Sequence, residues 1–362
     1  MKVLYVTSNG GIHDYRFLSK LADDYEVTLL HYAANELMNS IKEIRGLKII
    51  SKKPLKKSFP LLSEYFHFKK ILNEFRPDIV HTGYVWQTGI LAALANFHPH
   101  LSMPWGSDIL IDPNKSFLIK KFVSKTLLQA DHVQCDADEV REVMISNFSV
   151  DGKKISVFPW GVDLTIFKPL DKTGCRMKIG IDTNKFVAIF NRHLKKIYGV
   201  KYLLEGFKTF ADDKNDILLL LLSSGEELDF VKTFIKQNEL EEKIRIIGNV
   251  PNNILPEYLN ASDLYVSTSF SDGTSLSLLE AMACGLGIIV TDVPAIMEWV
   301  GCENGIVVQK KNSVGVSNAL NSYYSNRELI SLHSEKNICI AKQRADWDEN
   351  YLKLKNIYEK IV

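Results

Sequence analysis

The chain has little cysteine for its length. Five cysteines are spread over 362 residues, they are odd in number, and no two of them form a Cys-x-x-Cys pair. This pattern excludes a disulfide-stapled scaffold and a zinc site built on paired cysteines, and it favours a reducing compartment.

Long apolar runs and excess charge are also missing. The run 217–222 is too short to cross a bilayer, and the apolar start of the chain reaches Gly10 and Gly11 too soon for a signal peptide. We therefore expect a cytoplasmic protein, with peripheral attachment to the inner face of the membrane as the alternative. The net charge of +1 gives no general attraction to nucleic acid, which is not expected as a partner.

What the chain does have is a regular alternation of short apolar runs and amphipathic stretches, typical of parallel sheets covered by helices. Between residues 158 and 185, prolines and glycines interrupt the periodicity and mark a linker. Two doubly wound α/β halves are the simplest account. The predicted strands are Val3–Val6, Val27–Leu30, Asp78–His81, Leu101–Met103, His132–Cys135 and Ile155–Phe158, then Phe186–Phe190, Ile217–Leu222, Ile244–Ile247, Leu264–Ser267, Gly287–Val290 and Ile306–Val308.

The stretch 271–292 is the most informative, because a polar loop, a helix and an apolar strand follow one another directly. Gly273 permits close approach to a ligand, and Thr274 and Ser275 bring hydroxyls to a helix start, where free N–H groups attract anions. The carboxylates Asp272 and Glu280 suit sugar and ribose hydroxyls. The alternative is a buried helix that the same loop merely caps.

This stretch resembles the donor-site signature of the family-4 retaining glycosyltransferases, in which two acidic residues flank a seven-residue spacer. Asp272 stands where that family usually has Glu. The resemblance implies a GT-B fold: two Rossmann-like doubly wound domains facing a central cleft, with the C-terminal helix returning to the N-terminal domain. It predicts an acceptor-side domain at 1–162, a donor domain at 163–345 and the returning helix at 346–362.

Further motifs carry the same resemblance. The segment 158–169 is similar to the family's interdomain segment, with Trp160 in place of Asn, and Arg192 matches an arginine that neutralises the donor diphosphate. The family's partner lysine is replaced by Tyr198, so Lys195 or Lys196 would supply the second charge. In the first half, Trp105 replaces the His of a His-Gly-Ser-Asp motif.

The resemblance implies transfer of a hexosyl group from a nucleotide sugar, of UDP or GDP type, to a glycan or lipid-linked acceptor in surface polysaccharide or glycolipid synthesis. It implies no metal and no further cofactor. Two alternatives are a nucleotide-sugar-binding partner subunit with weakened catalysis and a phosphorylase or epimerase on the same fold.

The residues assigned to catalysis are Asp272, Glu280 and Arg192. Those assigned to donor binding are Gly11, Arg192, Lys196, Gly248, Asp272, Gly273, Thr274, Ser275, Leu276 and Glu280. Those assigned to the acceptor or cleft are Gly10, His13, His81, Trp105 and Asp108.

Two smaller features concern metals and membranes. Asp136 and Asp138 form an Asp-x-Asp, but Asp136 and Glu139 have capping-box spacing, so a helix start is predicted rather than a metal site. Basic residues beside apolar ones could hold the chain to an anionic membrane, although a solvated face is the alternative. The lysines assigned to this contact are Lys52, Lys53, Lys56 and Lys57, and a second basic segment holds Lys115, Lys120, Lys121 and Lys125.

Overall fold

A computed structural model describes residues 1–32, 36–53 and 61–362, and the backbone alone of Pro60. The chain forms two compact units. Unit 1 comprises Met1–Trp160 with Asp348–Val362, and unit 2 comprises Gly161–Trp347. Lys56 and Lys57, assigned above to a membrane contact, lie outside the described residues.

Unit 1 is built on a parallel sheet, seven-stranded in the described residues, with the order β3-β2-β1-β4-β5-β6-β7. The strands β1, β2 and β4 are buried almost throughout, which requires cover on both faces. The strands are β1 (Lys2–Thr7), β2 (Glu26–His31), β3 (Lys48–Ser51), β4 (Ile79–Gly83), β5 (His100–Met103), β6 (His132–Cys135) and β7 (Ile155–Val157).

Helices connect these strands. The apolar face of residues 61–75 packs against the sheet, with Phe68 fully buried in the same core cluster as Leu4 and Val80. The helices are α1 (Ile12–Asp24), α2 (Asn39–Lys42), α3 (Pro60–Phe75), α4 (Ile90–Ala95), α5 (Ser107–Leu110), α6 (Phe117–Gln129) and α7 (Asp138–Phe148), with a π-helical turn at Val85–Gly89 and 3₁₀ turns at Asp112–Asn114 and Gly152–Lys154.

Unit 2 repeats the scheme on a parallel sheet with six strands in the described residues, in the order β10-β9-β8-β11-β12-β13. Its central strands are apolar on both faces; β9 consists of one Ile and four Leu, all buried. The strands are β8 (Phe186–Phe190), β9 (Ile217–Leu221), β10 (Ile244–Ile246), β11 (Leu264–Ser267), β12 (Gly287–Thr291) and β13 (Ile306–Val308).

The helices of unit 2 pack closely on this sheet and on each other. α9 and α14 meet at Gly206, where an added Cβ would lie 2.6 Å from the carbonyl oxygen of Ser313. The helices are α8 (Lys172–Lys178), α9 (Val200–Ala211), α10 (Leu228–Gln237), α11 (Leu255–Ala261), α12 (Leu276–Ala283), α13 (Pro294–Met297), α14 (Ser313–Ser325) and α15 (Glu328–Arg344), with a 3₁₀ turn at Lys196–Tyr198.

The last helix, α16 (Trp347–Ile361), belongs to unit 1 from Asp348 onward. The Tyr351 hydroxyl donates to the Asp24 carboxylate at 2.8 Å, and the Tyr358 hydroxyl lies 2.6 Å from His81 Nδ1. Buried aromatic side chains with satisfied hydroxyls therefore fix the helix to unit 1.

Two local features differ from the sequence expectations. β3 was not predicted, because it is a half-exposed edge strand without a continuous apolar run. The predicted helix start is present, but α7 begins at Asp138 with Ala137, and not Asp136, as its N-cap. Asp136 instead accepts a hydrogen bond from the Trp160 indole at 3.1 Å.

Asp263 holds the start of the unit 2 sheet together. Its buried carboxylate accepts hydrogen bonds from Arg176, from Lys172 and from the backbone N–H of Val187, each at 2.8 Å. Arg176 is itself buried and also donates to the carbonyl oxygen of Ala261. Among the described ion pairs, Asp263 is the only acidic partner of the buried Arg176.

We expect Asp263→Asn to lower the free energy of unfolding by about 3 kcal/mol, because it leaves the Arg176 charge buried and uncompensated. Urea denaturation followed by circular dichroism measures the change. Asp229→Asn, on the exposed side of α10, is the matched control and should shift stability by less than about 0.5 kcal/mol. Equal denaturation midpoints for both variants would contradict the structural role of Asp263.

Candidate functional site

The strand order of unit 2 reverses between β8 and β11. The chain runs outward from β8 through β9 to β10 and then returns to β11 on the other side of β8. Ligands of open parallel sheets bind at such switch points, beyond the carboxyl ends of the strands. Arg192 follows β8 and Asp272 follows β11, so the two predicted site residues are brought to one place.

Arg192 is the centre of this place and is only 9% exposed. One terminal nitrogen donates to the hydroxyls of Ser275 and Ser277, at 2.6 and 3.1 Å. The other donates to the Asp272 carboxylate at 2.5 Å, which is also an ion pair. The guanidinium fork thus joins the loop after β8 to the start of α12.

Tyr198 supports the guanidinium from one side, with its ring centroid 4.2 Å from Arg192 Cζ. Burial by itself lowers the pKa of Arg192, but Asp272, Tyr265 and Tyr198 together raise it above the ordinary value. Burial raises the pKa of Asp272, and the Arg192 charge with the Gly273 N–H only partly offsets this. The arginine therefore stays charged, whereas the surroundings of Asp272 disfavour its ionised form.

The loops after β8 and β11 are docked on each other by backbone contacts. The Phe270 N–H donates to the carbonyl oxygen of Ile197 at 2.8 Å, and the Thr268 hydroxyl lies within 3.1 Å of the Tyr198 and Gly199 carbonyl oxygens. Gly199 has φ +64°, and a Cβ there would collide with the Thr268 carbonyl oxygen. The sequence needs glycine at this contact for both reasons.

The hydroxyls predicted to face a ligand are used inside the protein. Ser275 bonds Arg192 and lies 3.0 Å from the Ser277 hydroxyl, while Thr274 accepts the Trp299 indole N–H at 3.2 Å. Trp299, in the connection after α13, is a residue that sequence reasoning missed, because no motif marks it. It is buried and fixes the conformation of the loop that carries Asp272.

The other predicted donor residues are spread more widely. Glu280 is buried in α12, one turn beyond Leu276. Burial and the nearby Glu280 carboxylate raise the pKa of Cys284. Lys196 is exposed, without an ion pair in the part of the chain that the structure describes. Gly248, with φ +82°, lies after the edge strand β10, two strands away from β8.

Unit 1 has an equivalent switch point between β1 and β4. Gly10 has φ +74°, and its N–H and that of Gly11 donate to the buried Asp14 carboxylate at 2.8 and 3.3 Å. Burial raises the pKa of Asp14 to about 6. His13 and Trp105 are half-buried, with ring centroids 5.2 Å apart.

Two residues assigned to the acceptor or cleft are placed elsewhere. His81 is fully buried between Tyr358 and Met103, and burial lowers its pKa to about 3, so it is a neutral core residue. Asp108 is also fully buried and accepts the backbone N–H groups of Val85 and Trp105, both at 2.8 Å. It therefore fixes two loops.

Among the described residues, no group of three or more His, Cys, Asp or Glu side chains could hold a metal ion. None of the helices in the described ranges has the length and apolar character that a membrane crossing requires.

Comparisons with known proteins agree with this geometry. Residues 171–346 match the family described as "Glycosyl transferases group 1", and residues 2–137 match "Glycosyl transferase 4-like". The chain belongs to the group 1 glycosyl transferases. The predicted family is thereby confirmed.

Two curated relatives illustrate the similarity. A D-inositol 3-phosphate glycosyltransferase of Pseudarthrobacter chlorophenolicus is 25% identical over 239 residues, which are 60% of this chain and 55% of the relative. The UDP-Gal:alpha-D-GlcNAc-diphosphoundecaprenol alpha-1,3-galactosyltransferase of Escherichia coli is 30% identical over 234 residues, 62% of this chain and 60% of that protein. The chain thus spans less than two thirds of either relative.

The fold is similar to that of Anabaena HepE, solved in complex with UDP, with a TM-score of 0.83 and 18% identity over 99% of this chain and 100% of that one. At this identity the similarity shows the fold alone. With two Rossmann-like parallel-sheet domains, the chain has the GT-B fold, and the predicted fold class is confirmed.

Proposed function

We propose that the protein is a retaining glycosyltransferase that moves a hexosyl group from a nucleotide sugar to a glycan or lipid-linked glycan acceptor, in surface polysaccharide or glycolipid synthesis. The observation that carries this proposal is the buried Arg192 fork at the switch point of unit 2. A planar guanidinium between two docked loops is suited to a phosphate group. The name of the Escherichia coli relative supports an acceptor carried on a lipid diphosphate.

In this proposal Arg192, and not a metal ion, neutralises the diphosphate that leaves. The leaving group gains charge in the transition state. A cation already held in place by Tyr198 and Ser275 therefore lowers the activation free energy by about 3 kcal/mol. Asp272 binds the transferred sugar and Glu280 the ribose hydroxyls. Backbone N–H groups of Gly273–Leu276 complete the contacts, and the leaving phosphate oxygen helps to deprotonate the acceptor.

The ion pair of Arg192 with Asp272 adds a step to donor binding. Asp272 occupies the terminal nitrogen of the guanidinium that the two serine hydroxyls do not bind. A donor diphosphate therefore competes with this carboxylate for Arg192. Once displaced, Asp272 is free to accept hydrogen bonds from the sugar, so the same exchange couples diphosphate binding to sugar binding.

A saturation-transfer NMR screen against UDP- and GDP-sugars, followed by mass detection of nucleotide and glycosylated product, tests the function. Binding of one donor with hydrolysis or transfer supports it. Binding without turnover on added acceptors favours a partner subunit instead, and no binding removes the donor site.

For the donor identified in this way, Glu280→Ala should weaken nucleotide affinity about tenfold in calorimetry, through loss of the ribose contact. An affinity equal to that of the wild type would refute the role of Glu280, and Glu226→Ala, on an exposed loop, is the control.

We expect Asp272→Asn to bind the free nucleoside diphosphate about tenfold more tightly than the wild type, because no carboxylate competes for Arg192. The same variant should transfer sugar more slowly, because the sugar contact is weakened. Calorimetry with the diphosphate and a coupled transfer assay measure both effects, and Asp272→Glu should restore the competition. Weaker or unchanged diphosphate binding by Asp272→Asn would refute the exchange.

We also propose that unit 1 contacts an anionic membrane surface through α6. This helix has three exposed lysines, Lys120, Lys121 and Lys125, and no acidic residue, while Phe117 and Leu118 at its start are 74% and 57% exposed. Cations beside apolar side chains are complementary to anionic lipid. Lys52, by contrast, is tied to Ser63 of α3, and Lys53 is exposed.

Replacing Lys120, Lys121 and Lys125 together by Gln should lower partition onto vesicles with about one third anionic lipid by roughly 100-fold, at about 1 kcal/mol per lysine. Vesicle flotation measures this. A control variant carries Gln at the exposed lysines Lys208, Lys232 and Lys236 of unit 2 and should bind as the wild type does. Equal flotation of the wild type with neutral and anionic vesicles would remove the electrostatic contact.

A further inference from the structure

Thr274 lies between the two residues that hold the guanidinium of Arg192. Asp272, two positions before it, binds one terminal nitrogen, and Ser275, directly after it, binds the other. Thr274 is buried, and its hydroxyl accepts the indole N–H of Trp299 at 3.2 Å. Because the loop is anchored at this point, the position of the Trp299 indole sets the position of both partners of Arg192.

The backbone of Trp299 is held by a pair of buried asparagines. The amide nitrogen of Asn304 donates to the Trp299 carbonyl oxygen and to the side-chain oxygen of Asn337, both at 2.9 Å. The side-chain oxygen of Asn304 accepts the N–H of Gly301 at 2.8 Å. The Asn337 amide donates to the carbonyl oxygen of Leu286 at 3.0 Å. Both amide protons of Asn304 are thereby used, which fixes its orientation and the backbone of Trp299.

The ring of Trp299 is covered by Arg344, the last residue of α15. The Arg344 Cζ lies 4.2 Å from the ring centroid, and one terminal nitrogen donates to the carbonyl oxygen of Glu298 at 2.9 Å. Trp299 is only 4% exposed, although Arg344 itself is exposed. A guanidinium that stacks on an indole and also bonds the adjoining backbone limits rotation of the ring, so the indole N–H stays directed at Thr274.

We propose that Arg344 is a positioning residue for sugar transfer, which acts through Trp299 and Thr274 on the loop that binds Arg192. This role rests on the proposed function, because it assigns a task to the donor loop. The alternative is a structural role, in which the stem of Arg344 only shields an apolar ring. Shielding requires a long side chain and no more, whereas the bond to the Glu298 carbonyl oxygen and the stacking of the guanidinium are directional.

The series of contacts predicts an effect on turnover and not on diphosphate affinity. A loosened loop holds Asp272 less firmly on Arg192, so a diphosphate displaces this carboxylate at no greater cost. The same loosening misaligns Asp272 and the backbone N–H groups of Gly273–Leu276 with the reacting sugar. Misalignment of positioning groups lowers the rate of the chemical step more than it lowers ground-state binding.

Arg344→Met tests the role, because methionine keeps an apolar cover on the ring and removes the charge and the hydrogen bond. We expect kcat to fall about tenfold, while the Kd of the free nucleoside diphosphate changes less than about threefold. The measurements are turnover of the donor found in the screen and calorimetry with its diphosphate. Lys342→Met, at an exposed lysine of the same helix, is the matched control and should keep the kcat of the wild type.

A double-mutant cycle tests the route through the indole. Trp299→Phe keeps a ring and removes the N–H, so it should lower kcat about as much as Arg344→Met does. The double variant should lose little more than either single variant, because both changes release the same anchor. Circular dichroism verifies that the variants are folded. If Trp299→Phe does not fold, Thr274→Val replaces it in the cycle, since valine removes the acceptor hydroxyl and keeps the shape.

Four results would overturn this role. Arg344→Met may keep the kcat of the wild type, which would leave only shielding. The losses in the double variant may be additive, which would separate Arg344 from the indole. Lys342→Met may lower kcat equally, or the diphosphate affinity of Arg344→Met may fall as far as its kcat. Any of these results with a wild type that turns over its donor removes only the role of Arg344. A wild type that binds no donor removes the proposed function and this role together.

Discussion

The reversal of strand order within each parallel sheet is the constraint on which both candidate sites depend. In unit 2 the reversal makes β8 and β11 neighbours, although 73 residues lie between Phe190 and Leu264. Loops that leave the same edge of the sheet at that point must meet, because their strands are about 4.8 Å apart. Arg192 and Asp272 are in contact for this reason, and Gly10 lies at the equivalent edge of unit 1.

The contact between Arg192 and Asp272 is not explained by stability alone. Two nearly buried charges lose hydration, and their attraction repays this only when the remaining hydrogen bonds are also made. Here the serine hydroxyls bind one terminal nitrogen and the Tyr198 ring covers the guanidinium from one side. The buried Arg192 Nε has no hydrogen-bond partner in the part of the chain that the structure describes, and burial raises the pKa of Asp272. Burial therefore works against the charged carboxylate, which is the group that the donor diphosphate displaces in the proposed function.

Much of the fold could be predicted from the sequence, because apolar strands such as 217–221 and 264–267 have no alternative to burial on both faces. Arg192, Asp272 and Glu280 could be found from motif spacing. The partners that position them could not. Trp299 and Arg344 belong to no motif, and their roles arise from contacts between segments that only the folded sheet brings together.

The departures from the family pattern form two groups, one in each unit, and this bears on their meaning. Trp105 and Trp160 replace a His and an Asn at distant positions, yet their ring centroids are 5.3 Å apart in unit 1. In unit 2, Tyr198 replaces a lysine and stacks on Arg192, which pairs with the fourth departure, Asp272. Independent loss of function would scatter changes without such contacts. The contacts within each unit favour a concerted set of replacements instead.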